Sequence, residues 1–311
     1  MTQSPLLRIG TRGSPLALVQ ARMVRGLLAQ SLGADEDAIE LVIIKTSGDI
    51  IQDRPLAEAG GKGLFTKEIE EALLGKRVDL AVHSAKDMPT FSQAGLTLTA
   101  CLEREDPRDV FISRKALTLA ELPQGATLGT ASLRRQAIAK NKRPDLRVQP
   151  LRGNVETRLR KLDSGEVDAT LLALAGLKRL GLTEHATHIM PVGEFLPAVA
   201  QGAIGIEARA DDARTREMLA RIDHADTSVA VACERAFLAE LDGSCKTPIA
   251  GHATLTGDSI HFRGLLAHPD GKPSMATEID GARADSVKLG TEVARAIKRD
   301  GHPSLFASLS G

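Results

Sequence analysis

The sequence predicts an α/β protein in which two similar lobes face one cleft and a small α+β domain follows. Three patterns carry this. An apolar strand runs into a glycine-threonine turn and a serine-capped helix twice, at Leu6–Ser14 and at Thr127–Ser132. A Val-Asp pair follows a helix-ending glycine twice, at Gly75–Asp79 and at Gly165–Asp168. Beyond about Ile249 short strands alternate and a single helix closes the chain. The limits expected are 1–102 with 203–222 for the first lobe, 103–202 for the second and 223–311 for the last domain. Chance likeness of two ordinary βα units is the alternative to the repeat.

Each element has a local reason. Leu6–Ile9 is a short strand, and Ser14 then caps a helix with Pro15 at its first position. Leu16, Val19, Met23 and Leu27 are spaced as its buried stripe. Leu41–Ile44 is the next strand. A polar loop from Thr46 to Gly63 leads to a helix at Phe65–Leu74, which Gly75 ends. Val78–Val82 is a buried strand. In the second lobe a helix starts at Leu133, another spans Asn154–Leu162 and ends at Ser164-Gly165, and Val167–Leu172 is a buried strand. Gln201–Glu207 returns the chain to the first lobe, and Asp211–Leu241 is rich in helix. Strands at Ile260–Leu266 and Met275–Ile279 and a helix at Asp285–Ile297 complete the last domain.

Composition narrows the function. The 40 Lys and Arg balance 40 Asp and Glu, so no global field draws the chain to nucleic acid or membrane. The first residues lack an apolar run behind a basic start, and no stretch is long and apolar enough to span a bilayer. Three scattered cysteines (Cys101, Cys233, Cys245) make neither a disulfide framework nor a zinc cage. A cytoplasmic protein without metal is the expectation.

The strand at Val78–Val82 ends in His83-Ser84-Ala85-Lys86-Asp87-Met88-Pro89, which crowds an acid, a base and a cation where ligands of α/β proteins sit. A solvated turn closed by Pro89 is the bland alternative. The window from Arg134 to Lys161 is basic, and Arg134 and Arg135 lie in the first turn of a helix, where the macrodipole disfavours cations. A bound anion there would relieve the conflict. Arg152 stands beside another helix start, and arginine suits carboxylates through bidentate bonds. Lys140, Lys142, Arg143 and Arg160 read as a solvated face. RNA is the rival occupant, but a chain without Trp or Tyr lacks stacking platforms. Gly60–Thr66 lacks Walker spacing and reads as a mobile loop carrying Lys62 and Phe65, or as a plain linker. Cys101 and Cys233 read as packing residues. Cys245, in a turn beside Lys246, is an exposed nucleophile or attachment point, or incidental. His185 and His188 read as surface residues.

Arg8–Ala21, Gly60–Glu71, Val82–Pro89, Glu103–Asp109, Gly129–Gln136, Leu151–Leu162, Ala175–Gly181 and Pro197–Glu207, in that order, resemble the porphobilinogen deaminase (hydroxymethylbilane synthase) family over nearly the whole chain. Gly13 stands where the family often has glutamine, and Ser244 and Lys246-Thr247 depart from its cysteine turn. The resemblance implies two lobes like those of periplasmic binding proteins and a dipyrromethane cofactor joined by a thioether to Cys245. It implies a transferase of tetrapyrrole (haem) biosynthesis that condenses four porphobilinogen molecules, with loss of ammonia, and releases hydroxymethylbilane by hydrolysis. Asp87 would be the catalytic carboxylate. Ser84, Lys86, Asp87, Thr130, Ser132, Arg134, Arg135, Arg152 and Gly153 would hold the cofactor. Arg12, Ser14, Lys62, Phe65, Arg152, Arg158, Arg179 and Gln201 would hold substrate. It implies a monomer whose partner is porphobilinogen, with no nucleic acid or membrane. A non-catalytic anion-binding protein of two lobes is the competing reading, and it leaves Asp87 and Cys245 idle.

Overall fold

The computed structural model describes residues 5–50, 63–243 and 247–307. The backbone divides into two compact units, Met1–Glu105 with Ala203–Ser228, and Asp106–Gly202 with Val229–Gly311. The first begins with β1 (Leu7–Thr11) and α1 (Pro15–Leu32). Ser14 caps α1, accepting from Ala17 N at 3.4 Å, and Gly33 closes it in the left-handed region. Its buried face is Gln20, Ala21, Val24 and Leu28, whereas Met23 and Leu27 are exposed, so the stripe expected from the sequence is corrected. Nearly every position of α1 is apolar up to Ala29, and periodicity alone fits two phases.

After β2 (Ile39–Ile43) and the short α2 (Ser47–Ile50) come α3 (Lys67–Leu74), β3 (Leu80–Ser84) and β4 (Leu96–Cys101). The strand expected from Val78 starts two residues late for a local reason. The amides of Arg77 and Val78 still bond back to Ala72 O, completing the turn that ends α3. Asp79 then clips to β1: its amide donates to Arg8 O at 2.9 Å and its carboxylate accepts from Arg8 N at 2.8 Å.

The second unit opens with β5 (Asp109–Ser113), β6 (Thr127–Gly129), α4 (Leu133–Lys142), β7 (Arg147–Gln149), α5 (Val155–Asp163), β8 (Ala169–Ala173), α6 (Leu174–Leu180) and β9 (His188–Ile189). The Val-Asp repeat is a structural one. Asp168 N donates to Thr127 O at 2.9 Å and its carboxylate accepts from Thr127 N at 2.7 Å, as Asp79 does with Arg8. Asn154 caps α5 by accepting from Thr157 N at 2.8 Å.

Strand β10 (Ile204–Arg209) rejoins the first unit, as expected, between β3 and β4 and antiparallel to both. The first sheet is ordered β2-β1-β3-β10-β4 and the second β7-β6-β8-β5-β9, so the two match position by position. In each, three parallel strands adjoin one strand that runs against them. Leu80 and Val82 face a core with Val24 and Leu28 of α1, and Ala81 faces Ile69 and Leu73 of α3. Successive residues of β3 are thus buried in two different apolar layers.

Helices α7 (Ala213–Ala220) and α8 (Ala225–Glu240) lead to the antiparallel sheet β11 (Ile249–Thr256), β12 (Ser259–Ala267) and β13 (Ser274–Ala282), then α9 (Ser286–Asp300) and a last turn α10 (Ser304–Ala307). Leu289, Val293, Ala294 and Ile297 form the buried stripe of α9. A Cβ on Gly290 would lie 2.1 Å from Cys233 O, so glycine is what lets α9 approach α8. Strands β4, β5, β7, β9 and β11 were not expected from the sequence; most are short or lack an alternating pattern.

Candidate active site

The residue at which β3 ends sets the site of the first unit. After Ser84 the chain makes one 3-10 turn, Ala85–Asp87, which presents Asp87 to solvent and leaves Lys86 half-buried. Asp87 lines an open pocket together with Arg12, Ser14, Gln20, Phe65 and Ser84. Buried Gln20 donates to Ser84 Oγ at 2.9 Å, fixing the hydroxyl at the pocket wall. Among the described residues Asp87 makes no hydrogen bond or ion pair, so its charge is available to a ligand.

Arg12, expected to meet substrate, is already engaged. Its Nε lies 3.1 Å from Asp49 Oδ1, and its guanidinium sits over the Phe65 ring at 4.2 Å. Burial pushes the Asp49 carboxyl up, but bonds from Arg12 and Thr46 outweigh this and hold it below the usual range. Sequence reasoning had not paired these residues. Phe65 is a platform that orients Arg12, and Ser14 serves first as a helix cap.

In the second unit the basic window resolves into different roles. Ser132 caps α4 by accepting from Arg135 N at 3.4 Å, and Thr130 Oγ1 accepts from Ser132 N at 3.1 Å. Arg134 and Arg135 are buried, at 4% and 6% exposure, and both pair with Asp109, which is 0% exposed. Arg134 Nη1 lies 2.7 Å from Asp109 Oδ2, and Arg135 Nη2 2.8 Å from Oδ1. The cation conflict at the start of α4 is therefore relieved from within the protein by Asp109, a correction to the expectation of a bound anion there. Burial pushes Asp109 up, yet the two guanidiniums hold it far below the usual carboxylate range. Two cations against one anion leave one positive charge over. Arg134 also keeps a buried Nε without a hydrogen-bond partner among the described residues.

Gln201, expected to touch substrate, is 1% exposed, and its amide donates to Asp109 Oδ1 at 3.0 Å and to Pro107 O at 2.7 Å. Arg179 donates to Gly202 O at 2.7 Å, and Arg158 to Gly153 O at 2.8 Å. Arg152 is half-buried just before Gly153. Gly153 has φ +118°, and a Cβ there would stand 2.7 Å from Thr157 Cγ2. Gly153→Ala is accordingly expected to cost about 1–3 kcal/mol in a urea unfolding experiment. An unchanged midpoint would show that the turn relaxes freely.

Arg143, read as part of a solvated face, instead donates to the carbonyls of Leu119, Ala120 and Leu122 and pairs with Asp145 at 2.7 Å, so it is structural. Lys142 and Arg160 are exposed. Lys140 donates to Pro144 O and Leu146 O. Cys101 and Cys233 are buried, and burial followed by the neighbouring Glu234 pushes the Cys233 thiol up to about 12. Lys62 and Cys245 lie outside the described residues. Among the described residues no helix is long and apolar enough to cross a membrane.

Two family models match: porphobilinogen deaminase, dipyromethane cofactor binding domain, over residues 7–217, and porphobilinogen deaminase, C-terminal domain, over 228–299. The porphobilinogen deaminases of Nitrobacter hamburgensis and Nitrobacter winogradskyi are each 56% identical over 306 residues, covering 98% of this chain and 97% of theirs. The structure of a nutrient binding protein from Burkholderia cenocepacia bound to methionine overlays on 69% of this chain and 90% of its own, with TM-score 0.43 and 15% identity. At that level the overlay adds nothing to the fold described above.

Proposed function

Since this chain belongs to the porphobilinogen deaminase family and is a transferase of tetrapyrrole biosynthesis that polymerises porphobilinogen on a dipyrromethane cofactor, we propose that Asp87 is the carboxylate on which its chemistry rests. The observation that carries this is the exposed, unpaired Asp87 in the pocket with Arg12, Ser14 and Ser84. Loss of ammonia from an aminomethylpyrrole leaves positive charge spread to the ring N–H. A fixed carboxylate beside that N–H lowers the energy of the charged state and can take or return a proton as the bond forms. Ser84, held by Gln20, offers a hydroxyl at the same wall.

The donors present fit an acidic pyrrole chain. Each pyrrole brings an acetate and a propionate, and the surplus positive charge of Arg134 and Arg135 and the orphaned Nε of Arg134 suit such carboxylates. Lys86, Thr130, Ser132, Arg152 and Gly153 are assigned to the cofactor by the family motifs, and Arg12, Ser14, Phe65, Arg158 and Arg179 to substrate. Gln201 acts behind them, through Asp109. When bound, the dipyrromethane supplies the free pyrrole carbon at which the chain grows. Cys245 and Lys62 keep the roles that the family motifs give them, thioether attachment and substrate contact. The three domain limits given by the sequence, a monomeric state and a cytoplasmic location belong to the same reading.

Intact mass of the purified protein tests it. A mass exceeding that of the chain by two pyrrole units, mapped by peptide mass to Cys245, is the expected result. Bare protein that gains no adduct on incubation with porphobilinogen, or an adduct on buried Cys101 or Cys233, would refute the reading.

A further inference from the structure

The segment from Leu196 to Gly202 has no catalytic group of its own, yet the arginines of the second unit converge on it. Arg134 Nη1 donates to Leu196 O at 2.8 Å and Arg179 Nη2 to Gly202 O at 2.7 Å. Gln201 holds Asp109, the partner of Arg135. The segment is itself tied down by the C-terminal elements. Glu234 of α8 is 0% exposed; its Oε2 accepts from Ala200 N at 2.6 Å and its Oε1 from Ala253 N of β11 at 2.8 Å. Gly251 N adds a bond to Pro197 O at 3.0 Å. Ala200 sits at φ +60°, a conformation strained for a residue with a Cβ, so something must hold it there.

We infer that Glu234 is a positioning residue for anion recognition: from α8 it fixes the Leu196–Gly202 segment, and so the places of Arg134, Arg135 and Arg179. The inference rests on the assignment of those arginines to the acidic groups of the pyrrole chain. The two N–H donors approach different oxygens, so the site needs two acceptors. A carboxylate supplies both, and the negative charge strengthens each bond. An amide of the same shape would offer one oxygen and turn an NH₂ group against the other N–H.

Kinetics with porphobilinogen on the full chain, its cofactor load verified by intact mass, tests this. Glu234→Gln should raise KM roughly tenfold, the scale of a lost charge-assisted hydrogen bond, with kcat changed much less. Ala200→Gly placed in the Glu234→Gln background should recover most of that loss, because glycine holds φ +60° without the carboxylate. Val293→Ala, a cavity in α9, is the control for instability of the C-terminal elements: it should lower Tm and leave KM at the parental value. Arg179→Leu should raise KM. Parental KM in Glu234→Gln while Arg179→Leu raises it would overturn the inference alone; parental KM in Arg179→Leu would overturn the arginine assignment. A raised KM that Ala200→Gly does not recover and that Val293→Ala reproduces would show that Glu234 serves only stability. Should Glu234→Gln fail to fold, the double variant and Glu234→Asp carry the same comparison: a parental KM in Glu234→Asp with a raised one in the double variant would count against the inference.

Discussion

Asp87→Asn is expected to fold as the parent does and to turn over porphobilinogen about 10²–10⁴-fold more slowly. The fold should not notice the change: the side chain is exposed and bonds to no described residue, so its loss is worth within ~0.5 kcal/mol of stability. The chemistry should notice it strongly, because an amide keeps the size and most of the hydrogen bonding but not the charge. Asp87→Glu restores the charge and displaces it by one methylene, so it should keep part of the activity. The comparison must be made on protein carrying its adduct, so that assembly and turnover are separated. Asp87→Asn within a few-fold of the parent would return Asp87 to the status of a turn residue. Asp49 could not simply replace it, since Arg12 and Thr46 already occupy its oxygens.

Asp109→Asn should act on stability instead, costing on the order of 3–5 kcal/mol, because it strands two buried guanidiniums without their counter-charge. The parent should carry the matching acid dependence. Asp109's carboxyl is held below its unfolded value near ~3.9, so its contribution is complete above that pH and is lost as the pH falls towards the folded value. Urea midpoints from pH 7 down to pH 3 should decline in the parent, and the variant should lack that share of the decline. Equal slopes in both proteins would mean that Asp109 does not hold this charge. Arg160→Leu, at an exposed position, is the indifferent control.

What the sequence disclosed was mostly what neighbours in the chain decide. The caps Ser14, Ser132 and Asn154 bond within three residues, and the helix-ending glycines act on their own backbone. The Val-Asp repeat was visible although its function, clipping β3 to β1 in one lobe and β8 to β6 in the other, was not. Asp109 escaped because its partners lie 25 and 26 positions away, and nothing local marks a carboxylate as buried. Two cations in the first turn of α4 did signal that an anion was due; they did not say whose. The same blindness hid Asp49 behind Arg12, made Arg143 look solvated, and left Glu234 unremarked. Asp87 was legible because an apolar strand stopping at charged residues is a local pattern with a chemical meaning.

The way the chain passes between its sheets has a consequence for synthesis. All five strands of the second sheet lie between Asp109 and Ile189, but the first sheet needs β10, whose last residue is Arg209. Until β10 is made, β3 and β4 have no partner between them, and the first third of the chain carries two open edges. On the ribosome the later-made sheet can therefore close before the earlier-made one, inverting the usual order of domain folding. The N-terminal third waits, with its apolar edge strands uncovered, for at least the time needed to translate the hundred or so residues from β4 to β10. It is in that interval, rather than in the finished enzyme, that the protein is most exposed to aggregation and to the help of chaperones.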